Sequence, residues 1–190
     1  RPMVMIEKNV LRKEMLKKRA NIAKDEREKN SRIIKNKLLS LDMYKKAERI
    51  FCYIDMGSEV ITTDFIKQAW DDGKKVAVPV AKKDRFMYFV VIESFDGMTR
   101  SKLGVMEPEI GCEKQVVPCD NDIMIVPGSV FDVNKNRCGY GGGYYDTYTE
   151  KYNVKNTIGV AFDIQVVDNM PVEEFDRPLS MIITEKRDII

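Results

Sequence analysis

The sequence predicts an α/β fold: a single domain over residues 1–190, with a mostly parallel or mixed sheet, helices on both faces, and two amphipathic helices ahead of it. Three observations lead there. Apolar side chains in the first fifty residues recur at helical spacing. From residue 49 onward, short β-branched runs alternate with helical stretches, the pattern of a buried, largely parallel sheet. A chain of 190 residues with 44% hydrophobic and 33% charged side chains suits one domain whose core folds without staples.

The elements follow in order. Val10, Leu11, Met15 and Ile22 mark the first helix, and Ile33, Ile34, Leu38 and Leu41 the second. "RIFCYI" is the first strand. "TTDFIKQAWDDG" is a helix that Thr62 or Thr63 caps and Gly73 ends, with Trp70 in the core beside Phe65, Ile66 and Ala69. "KKVAVPV" and "FMYFVVI" are strands, and the two-stranded character of "RFMYFVVIES" predicts an antiparallel or mixed edge. "DIMIVPG" is a buried strand, "YYDTYTEKY" a helix with Tyr144, Tyr148 and Tyr152 on one face, and "TIGVAF" and "LSMIIT" complete the sheet. No internal repeat or low-complexity linker is visible.

Composition excludes several classes of chemistry. The chain has no histidine, which removes the commonest general base, the usual triads and most transition-metal sites. Cys52, Cys112, Cys119 and Cys138 form no C-x-x-C pair, so neither a zinc knuckle nor a dithiol motif is written. No apolar run approaches the roughly 18 residues of a membrane span, and Arg1-Pro2-Met3-Val4-Met5 does not read as a signal peptide. A cytoplasmic monomer with no membrane partner is expected. Residues 1–50 carry 16 Lys/Arg against 7 Asp/Glu, a net +9, and the rest 16 against 23, a net −7. No aromatic or recognition motif accompanies the basic helices, so nucleic acid is not the expected partner, whereas anionic small molecules are.

The segment "NRCGYGGGYYD", residues 136–146, sets four glycines in five positions between Arg137 and Asp146. A strand precedes it and a helix follows. Glycines let backbone N–H groups close around phosphate oxygens, while a helix N-terminus and an arginine add positive potential. A tight turn would need only one or two glycines. The spacing is not that of a P-loop, since no Gly-Lys-Ser/Thr follows. A dinucleotide site would place its glycines at the first βα turn and a glycine at position 144.

"RCGYGGGYYD" resembles the signature of the 5-formyltetrahydrofolate cyclo-ligases, also called methenyltetrahydrofolate synthetases. The resemblance runs along nearly the whole chain. "EKNVLRKEM" is similar to that family's basic first helix, "CYIDMGSEV" to its first-strand segment, and "LGVMEPE" to its G-[IV]-x-E-P stretch. "VPGSVFD" and "FDRPLSMIITEK" stand in the expected places around the glycine loop. Lys135 stands where the family usually has glycine, Thr147 where it has a basic residue, and Leu103 where many relatives carry an aromatic.

The resemblance implies an ATP-dependent ring closure of 5-formyltetrahydrofolate, with or without a polyglutamate tail, to 5,10-methenyltetrahydrofolate. ATP would phosphorylate the formyl oxygen to an imidate-like phosphate, and N10 would then displace phosphate. Such chemistry asks for positioning and charge neutralisation rather than histidine. Lys8 and Arg12 match the family's phosphate-contacting pair and lie about 40° apart around a helix. Arg137, Cys138, Gly139, Tyr140, Gly141, Gly142, Gly143, Tyr144 and Tyr145 match its ATP-binding stretch, with Tyr140 to Tyr144 also near the folate. Lys8, Arg12 and Arg137 are the candidate catalytic cations. Asp146 and Asp176 match the Mg²⁺ carboxylates, and oxygen ligands suit that ion. Ile54 and Glu59 match the substrate contacts, the glutamate suited to accept hydrogen bonds from a pterin N–H edge. The competing expectations are a dinucleotide oxidoreductase, a basic binding module, and a relative that binds folate without consuming ATP.

Overall fold

The alternation of apolar runs and helical stretches becomes a seven-stranded sheet in the computed structural model of the chain, which describes residues 2–174 and 176–190. Arg1, at the head of the stretch read against a signal peptide, and Phe175, the first residue of "FDRPLSMIITEK", lie outside the described residues. Helices α1 (Pro2–Ala20) and α2 (Lys24–Ser40) open the chain, and the short α3 (Asp42–Lys46) leads into β1 (Arg49–Cys52). Then come α4 (Thr63–Asp71), β2 (Lys75–Ala81), β3 (Met87–Ile92) and a small hairpin, β4 (Met98–Arg100) with β5 (Met106–Pro108). The second half holds β6 (Ile123–Val126), β7 (Val130–Asp132), β8 (Arg137–Cys138) and α5 (Tyr144–Lys151). It closes with β9 (Thr157–Val160), β10 (Val166–Val167), β11 (Met181–Ile183) and β12 (Asp188–Ile189).

The strand order is β12-β11-β9-β6-β1-β2-β3. The five inner strands run parallel, and β3 and β12 close the two edges antiparallel, as "RFMYFVVIES" predicts for β3. Each inner strand is apolar on both sides because both faces are covered. In β1, Ile50 and Cys52 pack with α2, α3 and α4, while Phe51 packs with Tyr148 of α5 on the other face. From β1 the chain crosses through α4 to β2 on one side; from β6, β1's other neighbour, it crosses through α5 to β9, further from β1. The order therefore reverses between β1 and β6. In open α/β sheets ligands bind outside the carboxyl ends of the strands at such a switch point. The segments that follow β1 and β6 there carry Glu59 and, beyond the short β7 and β8, the glycine run.

Local details depart from the expectations where a polar group needs a partner. Thr62 stands at the N-cap of α4 but makes no side-chain cap; its hydroxyl donates to Tyr53 O at 2.7 Å. Asp55 does the capping instead, its Oδ1 accepting from the Thr62 and Thr63 amides at 3.0 and 3.3 Å. Gly73 does follow the helix, at φ +81°. Trp70 is half-buried rather than central, because its Nε1 donates to Ile92 O at 3.1 Å near the edge of the core. In α1, Leu11 and Met15 pack on Val130, Cys138 and Met170, next to a small sheet of order β10-β7-β8. Val10 faces solvent, and Ile22 falls beyond the end of the helix. Helix α1 thus rides on the small sheet that presents the glycine loop.

Candidate functional site

The segment between β6 and α5 builds the site. Asp132, fully buried at the end of β7, accepts the amides of Asn134 and Asn136 at 2.9 Å each and so folds the turn into β8. Within that turn Lys135 takes φ +69°, the conformation glycine adopts freely and a residue with a Cβ adopts at roughly 1–2 kcal/mol. The lysine thus holds a conformation that glycine would adopt without that cost. After β8 the loop turns twice through positive φ, at Gly141 (+100°) and Gly143 (+72°). Gly143 is the N-cap of α5, and no side chain caps the helix there among the described residues. The first-turn N–H groups are thereby left to an anion.

Three cations surround this loop. Arg12 Nε donates to Gly139 O at 2.9 Å, and its Nη2 lies 3.5 Å from Cys138 Sγ. Lys8, one turn earlier, is ion-paired with Asp176. The expected pair thus reaches the site along two directions, Arg12 to the loop and Lys8 to the carboxylate. Arg137 is buried, with Nη1 donating to Pro127 O at 2.8 Å. Its guanidinium lies 5.4 Å over the Tyr145 ring and 3.8 Å from Asp146 Oδ1. Burial holds the Asp146 carboxyl above the ordinary carboxylate range, with Arg137 and Lys8 opposing and Asp176 adding to the rise. Asp146, Asp176, Lys8 and Arg137 therefore share one electrostatic neighbourhood. An open cleft of about 310 Å³ runs beside it, lined by Arg137, Tyr145, Asp146, Thr149 and Arg177 among others. A larger surface groove, about 590 Å³ between α2 and the start of α4, contains none of the candidate residues. The smaller cleft is the one that touches candidate residues, Arg137, Tyr145 and Asp146.

The other half of the site comes from the loop after β1. Ile54 is buried where the chain leaves the sheet. Glu59 is only 6% exposed, its Oε1 accepting the Met56 amide at 2.8 Å and its Oε2 accepting the Tyr140 hydroxyl at 2.7 Å. Burial raises its carboxyl above the ordinary range, while Tyr140, the Met56 amide and Arg19 pull it back. Tyr140 thus joins the β1 loop to the glycine loop. The Tyr140 ring stays half open to solvent, but its hydroxyl end is tucked in, and burial together with the Glu59 charge raises its pKa.

Two residues escape the sequence reading. Arg19, buried, donates to Tyr140 Oη at 2.8 Å and Ser58 Oγ at 2.9 Å. The signal was present: Lys8, Arg12, Met15 and Arg19 stand at i, i+4, i+7 and i+11, one stripe of α1, and Met15 in that stripe is buried. Arg85, in the turn between β2 and β3, lies against Gly143, where an added Cβ would sit 3.2 Å from its Nε. The Tyr144 hydroxyl fastens that turn, donating to Lys82 O at 2.6 Å. Nothing in the sequence links Arg85 to the loop.

The fold and site define an α/β protein with a bare glycine loop at the switch point of its sheet, ringed by cations and two carboxylates. Residues 4–185 match the 5-formyltetrahydrofolate cyclo-ligase family, and the chain belongs to it. It is 28% identical to the 5-formyltetrahydrofolate cyclo-ligase of Haemophilus influenzae, over 91% of this chain and 95% of that one. Against the Escherichia coli K12 protein of the same name the identity is 30%, over 74% and 80%. The NMR structure of Aquifex aeolicus 5,10-methenyltetrahydrofolate synthetase superposes with a TM-score of 0.82 at 30% identity, covering 95% of this chain and 91% of that one. Among the described residues no helix is long and apolar enough to cross a membrane.

Proposed function

We propose that the chain closes 5-formyltetrahydrofolate to 5,10-methenyltetrahydrofolate at the expense of ATP, with Mg²⁺ as the metal. The observation that carries this reading is the hydrogen bond between Tyr140 and Glu59, which joins the phosphate-suited loop and the ring-binding acid into one site. The γ-phosphoryl group passes to the formyl oxygen and ADP leaves. The N10 nitrogen then attacks the formyl carbon, the phosphate departs with its oxygen, and the N10 proton is released. The loop amides, Arg12 and Arg137 hold the phosphates, and Lys8 balances charge beside Asp176. Glu59 and the chain at Ile54 receive the folate ring. Asp146 and Asp176 fit a hard cation by donor type; no cluster of three or more Asp, Glu, Cys or His suited to a metal occurs among the described residues, so a shared site with phosphate oxygens and water is the one that suits them. The ion would neutralise phosphate charge beside those carboxylates.

The test is incubation with 5-formyltetrahydrofolate, ATP and Mg²⁺, following the long-wavelength absorbance of the methenyl product and ADP release together. Folate binding without ATP consumption would leave the chain a binding protein and overturn the proposal.

A further inference from the structure

Arg19 stands eleven residues after Lys8 on the same stripe of α1 and belongs to neither the phosphate nor the metal set. Its guanidinium is buried and spans three segments. Nε donates to Ser58 Oγ at 2.9 Å in the loop after β1, and Nη1 donates to Gly128 O at 3.2 Å after β6 and to Tyr140 Oη at 2.8 Å in the glycine loop. Tyr140 Oη in turn donates its proton to Glu59 Oε2 at 2.7 Å. The hydroxyl accepts from the cation and donates to the anion, an order that polarises both hydrogen bonds in the same direction. A buried arginine is desolvated at considerable cost unless a negative charge lies near it. The nearby carboxylate that balances this one is Glu59, reached through a single oxygen atom.

We infer that Arg19 is a positioning residue for folate recognition: acting through the Tyr140 hydroxyl, it keeps Glu59 ionised and fixes its orientation toward the N–H donors of the bound ring. The inference rests on the proposed folate role of Glu59. A carboxylate there offers two acceptors to adjacent donors, whereas a protonated acid presents an O–H where an acceptor is wanted. The groups facing Glu59 leave the task to Arg19. Arg27 from α2 touches only the Glu59 backbone, donating to its carbonyl at 2.7 Å, and is paired with Asp55 at 3.3 Å. Asp55, on the same loop, repels the charge, and so would ionised Tyr53, Cys52 or Tyr145. Arg19 is the cation that lowers the pKa of Glu59, beside the hydrogen bonds from Tyr140 and Met56.

The test is calorimetric binding of monoglutamyl 5-formyltetrahydrofolate between pH 5 and 8.5, with Mg²⁺-ATP affinity measured alongside, on the parent, Arg19→Gln, Arg19→Lys, Tyr140→Phe and Glu59→Gln. Tyr140→Phe keeps the ring and removes only the relay oxygen, so it reports even if Arg19→Gln folds poorly. Losing a hydrogen bond to a charged group corresponds to an affinity loss of roughly 10- to 100-fold. Arg19→Gln and Tyr140→Phe should lose about that much near neutral pH and regain part of it as pH rises; Arg19→Gln, outside the glycine loop, should keep parental Mg²⁺-ATP affinity, and Arg19→Lys should fall between it and the parent in folate affinity. The sign follows from the charge: removing the cation raises the Glu59 pKa further, so the ionised form is reached at higher pH. An equal loss at every pH, or equal losses for folate and ATP, would make Arg19 a structural brace and overturn the inference. Parental folate affinity in Glu59→Gln, with a flat parental pH profile, would overturn the folate role of Glu59, and the inference with it.

Discussion

Gly141 is the position where the loop's backbone most needs a bare Cα, and Gly141→Ala tests whether that shape serves a ligand. At φ +100° it lies beyond the left-handed region that other residues visit, and such conformations cost of order 1–3 kcal/mol for a residue with a Cβ. Where that cost appears depends on what holds the loop. Gly141 is exposed, and the atoms nearest an added Cβ are the Arg12 guanidinium at 3.5 and 3.7 Å, a flexible group. The free loop can therefore relax, and the strain returns only when a ligand demands the native shape. Apparent affinity falls by the fraction of molecules in that shape, here roughly 5- to 150-fold. Gly142→Ala is the internal comparison. Its Cβ would meet the Tyr144 ring at 2.8 Å, and the ring can yield by giving up its bond to Lys82, worth about 0.5–1.5 kcal/mol, so the loss there should be smaller. The assay is calorimetric titration with Mg²⁺-ATP, paired with urea unfolding, in which Gly141→Ala should move the midpoint little. Parental ATP affinity in Gly141→Ala, or a lost unfolding midpoint with affinity intact, would refute the phosphate role of the loop.

Other expectations follow from the same geometry. Lys8→Ala with Arg12→Ala should raise the KM for ATP and lower kcat while folate affinity changes less, as initial-rate kinetics and calorimetry would show. Asp146→Asn should reduce turnover by orders of magnitude and raise the Mg²⁺ concentration for half-maximal rate. Burial already holds that carboxyl above its ordinary range, so its ionised form weakens the fold progressively as pH rises past the unfolded value, and the neutral amide should leave the thermal midpoint at pH 7 no lower than the parent's. Asp55→Ala should destabilise the fold by about 1–2 kcal/mol in urea unfolding, because the amides of Thr62 and Thr63 lose the carboxylate that caps α4.

The fold was legible because its strands are buried on both faces and its helices on one. Runs such as Ile123–Val126, all buried, leave no alternative to a covered sheet, and the two-stranded character of "RFMYFVVIES" pointed to an antiparallel or mixed edge, which β3 forms antiparallel to β2. The glycine loop was legible because positive φ restricts residue choice, and four glycines in five positions have few other uses. The capping of α4 was not: Asp55 lies seven residues before Thr62, and only the path of the loop brings them together. Arg19 was hidden for the opposite reason, one cation among the sixteen Lys/Arg of a basic segment, distinguished only by sharing the stripe of buried Met15. Arg85 depends on how the β2–β3 turn meets the start of α5, a tertiary contact with no local trace.

The placement of the two acids shows how such a site stays open to its ligands. Glu59 and Asp146 are both held above the ordinary carboxylate range by burial, so each favours the neutral form more than it would in water. A fold selected for stability alone would put amides or apolar groups there. Each instead sits where the proposed ligands bring the opposite charge or a donor, Asp146 beside the glycine loop and Glu59 beneath Tyr140. Strands β1 and β6 are parallel neighbours, and the small β7–β8 hairpin that follows β6 brings the glycine loop back over the loop after β1, where Tyr140 bonds Glu59. Lys8 pairs with Asp176 and Arg137 approaches Asp146, which keeps the buried charges tolerable. In the proposed reaction a metal-bound phosphate arriving at the loop would offer the carboxylates a cation and the basic side chains an anion at once. The pairs would then exchange partners without any charge being left bare, and binding would recover free energy that folding gave up.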